Sequence, residues 1–200
     1  MIVSHKYRFI FIKTYKTAGT SLEVCLSQVC GDGDVFTEIF PPVEPHRPRN
    51  FDGFYNHMSA REIRSRVGAD IWASYFKFCV ERNPWDKVLS FYWMEKCRSS
   101  EPLTLDDFLQ RDQIGLNWGL YADDDLGGPV VDQVVRYESL SEELDSLFKT
   151  LNVPWAGLRV SAKSEYRQDR RCYRDVLTEP QAEIVKRRFE REISFHGYRY

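Results

Sequence analysis

Short apolar runs alternate with longer amphipathic stretches along the chain. Two runs rich in β-branched and aromatic residues, Tyr7–Ile12 and Tyr75–Val80, predict buried strands because they are continuous and bounded by polar residues. A third run, Val130–Val135, predicts another strand. A polar loop and then a helical pattern follow each of the first two runs. The pattern therefore predicts two strand–loop–helix units, one at the start of the chain and one in its middle.

Helical spacing and capping residues locate the predicted helices. Apolar residues recur at i, i+3, i+4 and i+7 after the first strand, which is typical of one buried helix face. Asn83 followed by Pro84 predicts the start of a helix, because proline is tolerated at the first helical position. Three capping boxes of the form Ser/Thr-x-x-Glu/Gln predict further helix starts at Ser59, Ser139 and Thr178.

The order of these elements predicts an α/β fold. Strands that alternate with helices favour a three-layer sandwich around a mainly parallel central sheet. The chain has 200 residues and 42% hydrophobic content, which is enough for a single domain with its own core. We find no internal repeat and no linker in the sequence, so we expect one domain over residues 1–200.

The charge balance favours a local anion site over a nucleic-acid surface. The formal net charge is only −2, but its distribution is uneven. Glu101–Phe148 holds twelve acidic and two basic residues, whereas Arg159–Arg191 holds ten basic and six acidic ones. This asymmetry suits a polyanionic ligand at one site, and a solvated basic helix face would explain it equally well. No basic motif with interleaved aromatic residues indicates nucleic-acid binding.

Other sequence features point to a cytoplasmic protein without a metal centre. The chain has no run of about 18 apolar residues, so we expect no transmembrane helix. Met1–Lys6 leads straight into an apolar strand and does not resemble a signal peptide. The five cysteines are odd in number and lack a CxxC pair or a cluster with histidine, so reduced thiols are expected and zinc is not.

The first motif that carries chemistry is Lys13–Ser21, between a predicted strand and a predicted helix. Ala18 and Gly19 are small enough to let the backbone approach a phosphate closely. Thr20 and Ser21 add hydroxyl donors, and the first N–H groups of the helix point to the same place. An ordinary turn between a strand and a helix is the structural alternative. The composition of the loop favours phosphate binding.

The position of the lysine distinguishes this loop from a Walker A loop. A Walker A loop has a lysine directly after its second glycine. Here Thr20 follows Gly19, and Lys16 comes three residues before that glycine. A P-loop nucleotide kinase also needs an aspartate at a strand end to hold Mg²⁺, whereas the third predicted strand leads into Arg136-Tyr-Glu138. The kinase therefore stays open only as an alternative.

The second motif is Arg82–Ser90, again between a strand and a helix. Arg82 ends the predicted strand, where its guanidinium could hold a phosphate through two parallel hydrogen bonds. Ser90 follows about two turns into the helix. A structural ion pair of Arg82, with Ser90 as an ordinary helix residue, is the alternative.

Together, the two motifs resemble the nucleotide-binding elements of sulfotransferases that use 3'-phosphoadenosine-5'-phosphosulfate (PAPS). The resemblance implies a P-loop-kinase-like sulfotransferase fold, PAPS as co-substrate and no metal. It implies that Arg82 and Ser90 hold the 3'-phosphate, and that Lys16 contacts the transferring sulfuryl group and the bridging oxygen. The residues that it implies for the 5'-phosphosulfate are Lys16, Thr17, Ala18, Gly19, Thr20 and Ser21.

A third stretch, Lys163–Arg174, is similar to the carbohydrate-sulfotransferase-like branch, in which a basic loop closes over the nucleotide. Only Lys163 and Ser164 are carried over as nucleotide contacts, and simple exposure of these charges is the alternative. The resemblance implies an acceptor hydroxyl on a glycan or a small metabolite. It identifies neither the acceptor nor the oligomeric state.

The general base is expected to be a histidine, because imidazole titrates near neutrality. His57 precedes a helix cap, and a similar histidine lies near the acceptor in glycan-modifying members of the family. We therefore assign the catalytic roles to Lys16 and His57. Alternatives are His46, a carboxylate, or a purely structural role for His57. A catalytically inactive nucleotide-binding protein on the same fold also stays open.

Overall fold

The computed structural model describes residues 1–111, 114–160 and 166–200 and contains one central sheet of five strands. Two further strands form a small separate hairpin. In chain order the strands are β1 (Ile2–Ser4), β2 (Phe9–Ile12), β3 (Val35–Phe36), β4 (Phe76–Glu81), β5 (Ala122–Asp123), β6 (Gly128–Pro129) and β7 (Gln133–Arg136).

The central sheet is mixed, so the prediction of a mainly parallel sheet is wrong. Its strand order is β3-β1-β2-β4-β7, with β4 parallel to both β2 and β7. The strand β1 is antiparallel to β2 and to β3. The physical reason is the short connection between Ser4 and Phe9, which can join antiparallel strands but is too short for a parallel crossover.

Ten helices of α type are found within the described ranges, and none of them is both long and apolar enough to cross a membrane. They are α1 (Gly19–Leu26), α2 (Ala60–Val67), α3 (Ala69–Ser74), α4 (Pro84–Arg98), α5 (Leu105–Leu109), α6 (Trp118–Tyr121), α7 (Leu140–Thr150), α8 (Tyr173–Val176), α9 (Glu179–Arg188) and α10 (Glu190–His196).

Helix capping follows the sequence in most places. The capping box of Ser59 and the Asn83 cap of α4 are both formed. The capping box predicted at Ser139 is not formed, because the Ser139 hydroxyl donates to Glu143 Oε1 at 2.6 Å instead. Residues 137–139 form a short 3₁₀ turn that leads into α7, which places Ser139 outside the capping conformation.

Helices flank both faces of the sheet, which confirms the predicted α/β architecture. Phe9 and Phe11 lie in one apolar cluster with the buried residues of α1 and α7. The alternate residues Ile10 and Ile12 lie in a second cluster with the buried residues of α2. Because successive side chains of a strand point to opposite faces, β2 is buried on both sides.

A third apolar cluster fixes α4 against the C-terminal helices. It joins buried side chains of α4, α5 and α9, including Trp85, which has 2% of its surface exposed. The Trp85 indole N–H donates to the Ala182 carbonyl at 2.9 Å. This anchoring holds the first turn of α4, and the loop before it, at a fixed position beside the sheet.

Candidate functional site

The two predicted motifs meet at one edge of the sheet. The strands β2 and β4 are parallel neighbours, with Ile12 paired to Cys79, so the loops after their carboxyl ends lie side by side. These loops border a cavity of about 490 Å³, here called the transfer cavity. The sequence-predicted residues that line it are Lys16, Thr17, Ala18, Gly19, Thr20, Ser21, His57, Arg82 and Ser90.

Left-handed backbone is concentrated at this cavity. Six non-glycine residues in the described ranges have φ between 51° and 62°. Three of them, Lys16, Ala18 and His57, line the transfer cavity. Such conformations cost about 1–3 kcal/mol each and persist where the surrounding structure enforces them, which is typical of functional sites.

The first turn of α1 faces the cavity with its backbone N–H groups. The helix begins at Gly19, and Ala18, which precedes it with φ of 62°, has no side chain that could cap the helix. No side chain of the preceding residue caps these N–H groups, and the helix dipole favours negative charge there. Thr20 lies at the second position of this turn.

The hydroxyl group of Thr17 serves the loop itself. The Thr17 side chain is fully buried, and its Oγ1 lies 2.8 Å from Thr14 Oγ1 and 3.2 Å from the Thr14 carbonyl oxygen. The Thr14 hydroxyl in turn donates to the Val80 carbonyl at 2.5 Å, which ties the loop to β4. Any contact of Thr17 with a ligand must therefore come from its backbone.

Gly19 is needed because Lys13 passes directly beneath it. A Cβ atom at Gly19 would lie 2.8 Å from Lys13 Cγ, which is closer than packed atoms come. Lys13 cannot easily move, since its Nζ donates to Glu23 Oε2 at 2.5 Å and to Asn56 Oδ1 at 3.0 Å. The loop therefore sits on a buried ion pair that a larger residue would displace.

Replacing Gly19 by alanine is expected to lower the free energy of unfolding by about 1–3 kcal/mol, because the added methyl group overpacks the loop against Lys13. Urea denaturation followed by circular dichroism measures this change. Gly119→Ala is the matched control, because a Cβ atom at Gly119 meets no atom within 4 Å. Equal stabilities of the two variants would contradict the packing argument.

Arg82 lies in the cavity wall, but its guanidinium holds a carboxylate in the first turn of α4. Its Nε and Nη2 donate to Asp86 Oδ2 at 2.8 and 2.5 Å, and its Nη1 donates to the Lys16 carbonyl at 3.1 Å. The ring of Tyr137 packs against the guanidinium, 4.1 Å from its central carbon. Arg82 precedes α4 by two residues and Asp86 lies in the first turn of α4, so this contact is the structural ion pair considered from sequence.

Asp86 is shared between two arginines. Its second oxygen, Oδ1, accepts a hydrogen bond from Arg167 Nη1 at 2.5 Å. Burial alone would raise the pKa of Asp86, but the guanidinium groups of Arg82 and Arg167 outweigh it and hold this pKa below its usual value. Asp86 is therefore ionised and joins Arg167, in the basic C-terminal stretch, to Arg82 in the cavity wall.

One face of α4 supplies a cation that sequence reasoning missed. Ser90, Met94 and Arg98 are spaced by four residues and all line the transfer cavity. The Lys16 ammonium lies 3.5 Å from Met94 Sδ, which places it against this face. The spacing of Arg98, two turns after Ser90, is the sequence feature that could have indicated it.

His57 lies at the cavity with a defined tautomer. Its Nδ1 lies 3.0 Å from the Lys13 carbonyl oxygen, which can only accept, so Nδ1 carries the proton and Nε2 presents a lone pair. The ring stacks on Tyr15 with centroids 3.9 Å apart and an interplanar angle of 16°. Burial, reinforced by the positive charge of Lys13, lowers the pKa of His57 to about 4.

His46, the other histidine considered as base, is not part of the cavity wall. It is buried, and its Nε2 lies 3.0 Å from the Thr37 carbonyl oxygen. Its ring packs against Phe36, with centroids 5.9 Å apart. This arrangement gives His46 a structural position and leaves His57 as the histidine that lines the transfer cavity.

A buried asparagine holds the loop between β2 and α1 in place. The Asn117 side chain is fully buried and pairs with the Tyr15 backbone, accepting from its N–H at 2.8 Å and donating to its carbonyl at 3.2 Å. Its amide nitrogen also lies 3.1 Å from Glu81 Oε1. No local pattern could reveal this contact, because Asn117 and Tyr15 are 102 positions apart.

The remaining predicted contacts concern the C-terminal basic stretch and metal binding. Lys163 and Ser164 lie outside the described residues. Their neighbour Tyr166 is described, and its ring lies 5.5 Å from the guanidinium carbon of Arg98. Within the described parts of the chain, no cluster of three or more His, Cys, Asp or Glu side chains has the arrangement of a metal site.

Comparison with known proteins finds a relative in an archaeon. No known protein-family model matches the chain. A protein of Archaeoglobus fulgidus, described as uncharacterized, is 35% identical over 101 residues, which cover 48% of this chain and 84% of the relative. The chain belongs to the same family as this archaeal protein.

Proposed function

We propose that this protein is a sulfotransferase that moves the sulfuryl group of PAPS to an acceptor hydroxyl. The observation that carries the proposal is the convergence of both motifs and His57 on the transfer cavity. The residues of both motifs that the sequence predicts as nucleotide contacts border the same cavity. If the two loops did not border one cavity, they would not support a single nucleotide site.

Each end of the nucleotide has its own set of donors. The backbone N–H groups at the start of α1, with Thr20 and Ser21, hold the 5'-phosphosulfate. Ser90 and Arg82 hold the 3'-phosphate, and Arg98 adds a further positive charge to that wall. Arg82 is already paired with Asp86. The phosphate therefore binds as a second anionic partner of the same guanidinium group.

The transfer step needs one bond to form and one to break. The acceptor oxygen bonds to sulfur, while the bond between sulfur and the bridging phosphate oxygen breaks, and that oxygen stays on the product 3'-phosphoadenosine-5'-phosphate (PAP). The acceptor proton passes to Nε2 of His57 and then to solvent. The Lys16 ammonium balances the negative charge that grows on the bridging oxygen. As in phosphoryl transfer, positioning and charge stabilisation supply most of the rate.

Binding of PAP tests the proposal directly. Isothermal titration calorimetry is expected to give a micromolar dissociation constant for the wild type. Arg82→Ala is expected to weaken binding by about 10- to 100-fold, because charge-assisted hydrogen bonds contribute about 1.5–3 kcal/mol. Since Arg82 is buried, Ser90→Ala serves as a second variant that leaves the ion pair with Asp86 in place. Arg47→Ala, whose side chain is 67% exposed, is the control.

The competing functions give different results in the same experiment. Tighter binding of ATP with Mg²⁺ than of PAP would favour the nucleotide kinase and overturn the proposal. PAP binding that depends on Arg82, without transfer to any hydroxyl in an acceptor screen, would identify the catalytically inactive nucleotide-binding protein.

A further inference from the structure

The backbone around Lys16 is held by side chains from other parts of the fold. The Tyr15 carbonyl, which belongs to the peptide bond with Lys16, accepts a hydrogen bond from Asn117 Nδ2 at 3.2 Å. Asn117 Oδ1 accepts from the Tyr15 N–H at 2.8 Å. The Lys16 carbonyl accepts from Arg82 Nη1 at 3.1 Å. Both backbone groups of Tyr15, and the carbonyl of Lys16, are therefore fixed from outside the loop.

These contacts matter because Lys16 has an uncommon backbone conformation. Its φ is 61°, in the left-handed region that a residue with a side chain seldom adopts. Such a conformation persists only where the surrounding structure enforces it. If Lys16 relaxed to a negative φ, its Cα–Cβ bond would point in a different direction, and the ammonium group would leave the position proposed for it beside the bridging oxygen.

Asn117 is itself fixed by a buried carboxylate. Its Nδ2 donates to Glu81 Oε1 at 3.1 Å, and the same oxygen accepts from the Lys87 ammonium at 2.8 Å. The side chains of Asn117, Glu81 and Lys87 are fully buried, so these contacts are shielded from bulk water. The orientation of the Asn117 amide is defined, because the Tyr15 N–H can only donate and the Tyr15 carbonyl can only accept.

The position of Glu81 joins the two motifs. Glu81 is the last residue of β4 and directly precedes Arg82, whose backbone N–H donates to Glu81 Oε1 at 2.9 Å. One carboxylate oxygen therefore contacts the start of the second motif and, through Asn117, the loop of the first motif. A change in this contact alters the position of Lys16 relative to Arg82.

We propose that Asn117, held by Glu81, is a positioning residue for Lys16 in sulfuryl transfer. This inference rests on the proposed function and adds a residue that does not line the transfer cavity. Asn117 fixes the Tyr15 backbone, so that Lys16 keeps its left-handed conformation and its ammonium group stays at the bridging oxygen. The start of α1 depends less on this contact, because the Thr14 hydroxyl ties its side of the loop to β4.

Single-turnover rates with labelled PAPS, together with calorimetry with PAP, test this role. Asn117→Ala is expected to lower the transfer rate by about 10- to 100-fold, because Lys16 is displaced, while PAP affinity changes by less than about threefold. Asn117→Asp is the second variant, since it keeps the side-chain volume and the acceptor for the Tyr15 N–H but lacks the donor for the Tyr15 carbonyl. We expect the same split between rate and affinity. Thermal unfolding verifies that both variants are folded at the assay temperature.

A double-mutant cycle separates the positioning of Lys16 from a general loss of structure. In the Lys16→Ala background, Asn117→Ala is expected to lower the rate further by less than about threefold, because the group that it positions is already absent. If Asn117→Ala lowers the rate in that background as much as in the wild type, Asn117 does not act through Lys16 and the assignment is wrong.

The matched control is Asn50→Ala, which should leave both the rate and the PAP affinity unchanged. The Asn50 amide also donates to backbone carbonyls, those of Asp32 and Asp34, but it lies outside the transfer cavity. If the wild type binds PAP and transfers the sulfuryl group, but Asn117→Ala keeps the wild-type rate or loses PAP affinity as strongly as rate, the positioning role is wrong and the sulfotransferase proposal stands. If the wild type does not bind PAP or transfers no sulfuryl group, the proposed function fails, and the positioning role fails with it.

Discussion

Replacing Lys16 by alanine is expected to lower the rate of sulfuryl transfer by about 100- to 1,000-fold while PAP binding weakens far less. The reason is that the ammonium group meets its full counter-charge only when the bond to the bridging oxygen breaks, so its contribution is larger in the transition state than in the ground state. Single-turnover rates with labelled PAPS, beside calorimetry with PAP, separate these two quantities.

Lys96→Ala is the control for this variant. Lys96 is on the same helix face as Tyr92, is exposed, and does not line the transfer cavity. Its removal should leave both the rate and the PAP affinity unchanged. If Lys16→Ala instead reduced PAP binding as strongly as it reduced the rate, Lys16 would be a ground-state contact only, and the role at the bridging oxygen would be wrong.

Replacing His57 by glutamine is expected to lower the transfer rate by about 100- to 10,000-fold, the usual contribution of a general base. The glutamine amide can still donate to the Lys13 carbonyl, so the variant keeps the contact that positions the side chain. Because the pKa of His57 is lowered to about 4, the imidazole is neutral at pH 7 and becomes protonated at Nε2 only in acid. For the wild type, kcat/KM should therefore stay flat above about pH 5 and fall as the pH drops through about 4.

The pH profile separates a base from a merely structural histidine. Values of kcat/KM report the free enzyme, whereas kcat reports the complex, in which an added phosphate dianion raises the pKa of His57. The acid limb of kcat should therefore lie at higher pH than that of kcat/KM. His5→Gln, at an exposed histidine outside the cavity, should keep both limbs. If the acid limb persists in His57→Gln, that limb must be assigned to the titration of another group.

The sequence predicted the elements that are long and regular. The strands β2 and β4 and the helix α4 follow from continuous apolar runs and a clear helix start, and they carry both motifs. The strands β1 and β3, with three and two residues, are too short for any periodicity to show. Missing β1 led to the wrong prediction of a mainly parallel sheet, since β1 provides the antiparallel pairs.

The sequence predicted those parts of the candidate site whose residues are neighbours in the chain. A phosphate loop and the helix after it are neighbours in sequence, so Lys13–Ser21 could be read directly. The contacts that position this loop are long-range: Asn117 holds Tyr15 from 102 positions away, and Asp86 receives Arg167 from 81 positions away. Such contacts depend on the tertiary fold, and a single sequence does not contain them.

The carboxylate between Arg82 and Arg167 has a consequence for selectivity. Asp86 acts as an internal counter-anion, so the two guanidinium groups do not attract every passing anion with their full charge. A ligand at this corner of the cavity gains less from net charge and more from the directions of the donors that it meets. We therefore expect discrimination at this position to rest on molecular shape, and a simple ion such as chloride to compete poorly.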